Sequence, residues 1–73
     1  MNFTNKRVLR TFTSATSQNA WGEIEDIGWR KVLKGSGDGV TNVFVMLNAA
    51  KANNRTVSGT LDANNRISVL YLN

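Results

Sequence analysis

Gly35-Ser36-Gly37-Asp38-Gly39-Val40-Thr41-Asn42-Val43-Phe44-Val45-Met46-Leu47-Asn48-Ala49-Ala50-Lys51-Ala52-Asn53-Asn54 is the stretch that decides the fold. Its glycines end one kind of structure and its later residues begin another. At about 100° per residue, Val40, Val43, Phe44, Leu47 and Ala50 fall on one apolar stripe, the signature of a helix laid on a core. Asp38 is the expected N-cap, because a carboxylate there accepts from the free amides of the first turn and faces the positive end of the dipole. The helix is expected from about Gly39 to Ala52, with Asn53-Asn54 as its exit, since Asn tolerates the left-handed conformation that ends helices. Thr41, Asn48 and Lys51 lie largely opposite the stripe. Val45, Ala49 and Ala52 interrupt that second face, and we expect them to meet a neighbouring subunit. Replacing Val45 by Asp should then lower the assembled mass.

On the N-terminal side the pattern is that of strands. Met1 to Asn5 is polar and expected to fray. Arg7 to Thr13 is rich in β-branched and aromatic residues, with Val8 and Phe12 on one face and Leu9, Thr11 and Thr13 on the other. Ser14 to Asn19 reads as a polar loop. Ala20 to Glu25 alternates, with Ala20, Gly22 and Ile24 facing one way and Trp21, Glu23 and Glu25 the other. Gly28 marks a bend, bulge or turn before Trp29 to Leu33, so these two pieces are either a hairpin or one bent strand. On the C-terminal side, Arg55 to Leu61 alternates with Val57, Gly59 and Leu61 inward. Asp62-Ala63-Asn64-Asn65 supplies a turn. Arg66 to Leu72 is apolar on both faces, so this strand is expected to be buried on both sides or covered by a partner.

The expected fold is mainly β with one helix, a small OB-like five-stranded barrel in the order β-β-β-α-β-β, filling residues 1–73 as one domain. The passage from Ala49-Ala50-Lys51-Ala52-Asn53-Asn54-Arg55 into Thr56-Val57-Ser58-Gly59-Thr60-Leu61-Asp62 resembles the B subunits of bacterial AB-type toxins of the cholera and subtilase kinds. The resemblance extends over residues 7–72 in topology and about 40–62 in residue pattern. It implies a ring, commonly of five subunits, with helices around a pore and glycan sites on the barrels. This chain departs from that family in having no visible leader and no cysteine.

With 73 residues and neither cysteine nor histidine, disulfides and the commonest zinc ligands are both excluded. Association of subunits is then one way to extend so small a core, and idealised packing alone is the other. Residues 1–20 show no signal peptide, and no segment has the roughly 20 apolar residues of a membrane span. A soluble cytoplasmic protein is the default expectation, or a secreted one if a leader was removed. The net charge is +4, from nine Lys and Arg against five Asp and Glu, with a pI near 10.2. The bases cluster as Lys6, Arg7 and Arg10, as Arg30, Lys31 and Lys34, and as Lys51, Arg55 and Arg66. That balance favours polyanions, although a modest basic surplus also serves solubility alone.

Serine-type catalysis needs a base to activate the hydroxyl, and none is present. Glu23, Glu25 and Asp26 form the one acidic cluster, read here as a solvated strand end. We expect neither an enzyme nor a cofactor. The Gly35–Gly39 run fails as a phosphate loop, because no Lys-Ser or Lys-Thr follows and Asp38 would repel the anion. Acidic ligands are too few for calcium.

The two tryptophans are the remaining candidates. The first reading is an oligomeric OB-like module that binds carbohydrate, with Trp21 stacking a sugar ring and Glu23, Gln18 and Asn19 binding its hydroxyls. Trp29 or Tyr71, with Arg7, Arg10, Arg30, Lys31 and Lys34 tracking phosphates, could instead stack nucleobases of a single strand. A structural oligomer with no ligand is the third reading.

Overall fold

In a computed structural model the described residues are 1–15, 19–34 and 37–73, with backbone alone for Gly37 and Asp38. Gln18 and the Gly35-Ser36 linker, both named above, lie outside them. The elements run β1 (Asn2–Thr13), β2 (Ala20–Ile24), β3 (Gly28–Lys31), α1 (Gly37–Ala52), β4 (Thr56–Leu61) and β5 (Ile67–Leu72). The strands form one antiparallel five-stranded sheet in the order β3-β2-β1-β4-β5.

Alternation along β2 and β4 gives the sheet its inner face. Ala20, Gly22 and Ile24 are buried on β2, as are Val57, Gly59 and Leu61 on β4. The helix lies over this face, where Val40, Leu47 and Ala50 are buried and Val43 and Phe44 pack against them. Leu47 is fully inaccessible to solvent, and burial of such a side chain stabilises by about 1.5–3 kcal/mol. Gly22 leaves room for it, since a Cβ there would stand 3.1 Å from a Leu47 methyl. No described helix is long and apolar enough to cross a membrane.

At the seam between the outer strands, Val32 makes an isolated parallel bridge with Ile67, and the Leu33 amide donates to the Ile67 carbonyl at 2.9 Å. Among the described residues no longer ladder joins β3 to β5, so the sheet stays open beyond that point.

Several local expectations are corrected. The first five residues do not fray: Phe3 is 5% exposed and pairs with Gly59, and the Met1 amino group donates to the Leu61 carbonyl at 2.9 Å. The helix begins at Gly37, so Asp38 is a residue of its first turn rather than the residue before it. Phe12 is not on the face of Val8. The pairing of β1 with β2 shifts between Val8 and Arg10, and this bulge turns Phe12 outward to oppose Trp21. A second shift, between Thr60 and Leu61, separates Ile67 from Val69 and Tyr71. Ile67 is buried, whereas Val69 and Tyr71 are 42% and 63% exposed, so within the described chain β5 is covered on one face only.

The break at Gly28 is a hairpin turn. Asp26 and Gly28 take positive φ of 66° and 94°, and the Ile27 amide closes on the Ile24 carbonyl at 3.0 Å. The helix exit is as the asparagines suggest: Asn54 has φ 53°, the Asn54 amide donates to Lys51 and the Arg55 amide to Ala50. This is a Schellman closure.

Candidate functional site

The outer face of β1, β2 and β3 is built by the register. Phe12 opposes Trp21 and Trp21 opposes Lys31; in the next row Arg10 opposes Glu23 and Glu23 opposes Trp29. Directly opposed side chains lie about 5 Å apart and diagonal ones about 7–8 Å. Phe12, Trp21 and Trp29 therefore share one surface, lining a shallow apolar hollow of about 340 Å³. An adjoining groove of about 280 Å³ is lined by the two indoles together with Arg30, Lys31, Asn64, Asn65 and Arg66.

The charges around these rings are arranged, not scattered. Arg10 Nε donates to Glu23 Oε1 at 2.7 Å, and its guanidinium carbon lies 5.3 Å from the centre of the Trp29 ring. The hydrogen bond to Glu23, reinforced by that carboxylate's charge, raises the Arg10 pKa further above its already high ordinary value. Lys31 Nζ stands 6.0 Å from the Trp21 ring centre. Trp21 is oriented by its own edge: Nε1 donates to Asn19 Oδ1 at 2.9 Å, and Asn19 is held in turn by donating to Ser14 Oγ at 2.7 Å.

The turn from β4 to β5 presents Asn64, Asn65 and Arg66 to the groove. Asp62 Oδ1 accepts from the amides of Asn64 and Arg66, both at 2.9 Å, and Asn65 takes φ 61°. The Arg66 amide, above all, holds the Asp62 carboxyl below the usual carboxylate range. Arg30 Nη1 donates to the Trp29 carbonyl at 3.0 Å, but Arg30 Nε is out of solvent with no hydrogen-bond partner. Arg66 Nε is likewise unbonded, though 3.5 Å from Asp62 Oδ2.

The structure thus brings Trp21, Glu23, Asn19, Trp29, Arg10, Arg30 and Lys31 to one region. It sets apart Arg7, whose guanidinium donates to Asn54 at the helix exit, and Tyr71, which opposes Ser58 on the far hairpin. Lys34 is exposed beyond β3. On the helix, Val45 is 61% exposed, Ala52 exposed and Ala49 half-buried.

Phe12 and the Asn64–Arg66 turn were not visible as site residues in the sequence. A signal for Phe12 was present in Arg10, which simple alternation would have forced inward beside Val8. Compared with known proteins, the chain matches no family model, no curated protein and no solved structure.

Proposed function

We propose that the β1–β2–β3 face binds single-stranded nucleic acid without strict sequence preference. The observation that carries this is one surface holding Phe12, Trp21 and Trp29, bordered by Arg10, Arg30, Lys31 and Arg66. Bases stack on aromatic faces whatever their identity, while neighbouring cations follow the backbone. Glu23, the polar partner expected for a sugar, already accepts from Arg10 through Oε1.

The architecture proposed with it is an OB-type barrel. The strand order and the parallel contact of Val32 with Ile67 support that closure. In such barrels the face of the second and third strands, with the loop between the fourth and fifth, is the usual site for oligonucleotides and oligosaccharides. The assembly expected through Val45, Ala49 and Ala52 rests on the exposed Val45. Light scattering tests it: Val45→Asp lowers the mass of an oligomer and leaves a monomer unchanged.

Quenching of the two indoles by an oligothymidylate, titrated over a series of salt concentrations, tests the binding reading. Two or three phosphates engaged should give a slope of log affinity against log salt of about −1.5 to −2. Binding that ignores salt, or none at about 50 mM salt, overturns it. Quenching by neutral oligosaccharides in its place would return the face to sugar recognition.

A further inference from the structure

A second cavity lies away from the aromatic face, where the middle of β1 passes the exit of α1. It has a volume of about 170 Å³ and is open to solvent, and Val8, Leu9, Ala50, Arg7, Lys51 and Arg55 are among the residues that line it.

The backbone builds this cluster. The Schellman closure folds Arg55 back, its amide donating to the Ala50 carbonyl at 2.9 Å, which places it beside Lys51. Asn54, at φ 53°, turns its side chain to β1 and accepts from Arg7 Nη2 at 2.7 Å. Arg7 is therefore held in place, with four of its five N–H donors outside that bond. A helix C-terminus ordinarily repels anions through its free carbonyls. Here those of Ala49, Ala50 and Lys51 already accept from Asn53, Arg55 and Asn54.

Carboxylates do not neutralise the cluster. Among the described residues the ion pairs are Lys6 with Asp26, Arg10 with Glu23 and Arg66 with Asp62, and none involves Arg7, Lys51 or Arg55. Glu25 is an opposing charge at its edge, its Oε1 accepting from the Arg7 backbone amide at 3.1 Å.

We infer that this cavity is an anion site for a phosphate group, gripped by Arg7, Lys51 and Arg55 and separate from the aromatic face. Three basic residues lining one small concavity suit a compact, multiply charged oxyanion. The inference does not rest on nucleic-acid binding at Trp21 and Trp29.

The test is a titration of the whole protein with inorganic phosphate, followed by amide and guanidinium resonances, against sodium chloride of equal ionic strength. Saturable shifts confined to Arg7, Lys51, Asn54 and Arg55 are expected at millimolar phosphate. Arg55→Gln should weaken them at least tenfold, and Glu25→Gln should strengthen them. Trp29→Ala should leave them unchanged, which separates this site from the face. Shifts that chloride reproduces, or that spread evenly over all the bases, overturn the proposal. An oligothymidylate with and without a 5′-phosphate then identifies the source. Movement of the same resonances only with the phosphorylated oligomer marks a chain end, movement with both a backbone phosphate, and movement with neither a free phosphate compound.

Discussion

The two hairpins that flank β1 have the same inside and different outsides. On their inner faces, Ala20-Gly22-Ile24 and Val57-Gly59-Leu61 each place a glycine between two buried apolar residues. Gly22 makes room for Leu47 of the helix, and Gly59 for the ring of Phe3 and the Val69 carbonyl. Outside, β2–β3 shows indoles, bases and an ion pair. The outside of β4–β5 instead carries the exposed Val69 and Tyr71 among hydroxyls and amides bonded to each other: Thr60 donates to Asn2, and Asn73 donates to Asn5 and Ser58. One inner pattern serves both hairpins as scaffold, while the outer residues make one face aromatic and charged and the other largely hydroxyl and amide around Val69 and Tyr71.

The sharpest way to break the likeness of the two interiors is at their glycines. Gly59→Ala would place a methyl on the Val69 backbone and 2.9 Å from Phe3. Neither backbone nor a packed ring yields easily, so a loss of about 3 kcal/mol or more is expected in urea unfolding. The contrast between the outer faces comes next. Trp29→Ala should weaken oligothymidylate binding by about 1–3 kcal/mol per base stacked, while Tyr71→Ala on the other hairpin should leave it unchanged.

A smaller effect is expected from Gly22→Ala, about 1 kcal/mol, because it meets the movable methyls of Leu47 at 3.1 and 3.2 Å. If Gly22→Ala cost as much as Gly59→Ala, the helix would be held as rigidly as the sheet. The smallest effect concerns the turn that joins β4 to β5. Its Asp62 carboxyl titrates below the usual range because it accepts backbone amides. The charged form is the one folding favours, so its contribution is complete above a pH of about 4 and disappears on further acidification. Stability measured across acid pH should therefore fall, and Asp62→Asn, which cannot titrate, should flatten part of that fall.

Alternation alone placed β2, β4 and their inner residues, because a two-residue period has one solution when one face is buried. The apolar stripe of α1 was equally legible, as was the asparagine exit. What alternation could not contain is an irregularity. The shift between Val8 and Arg10 moved Phe12 from the expected core to the face of the two tryptophans, and the shift before Leu61 exposed Val69 and Tyr71. Polar composition likewise hid the start of β1, where Phe3 is the one large apolar anchor between Asn2 and Thr4. Of the site, the tryptophans and nearby bases could be read from residue type. The contribution of Asn64, Asn65 and Arg66 could not, since it depends on two ends of the sheet meeting at Val32 and Ile67.

The split partnership of β1 has a consequence for the order in which the chain acquires its structure. Its second half pairs with β2, only a loop away, whereas its first half waits for β4, with Asn2 opposing Thr60. Local hairpins close in roughly 1–10 μs, but pairings between distant segments are far slower, because the intervening chain must first be gathered. The aromatic face can thus assemble as an early meander of three strands, with Phe3 on a bare strand edge until β4 pairs with it. During that interval the hazard is capture of the edge by another chain. The positive φ of 52° at Asn5 and the register shift between Phe3 and Lys6 bend that edge, making it a poor template for a stranger before its own partner reaches it.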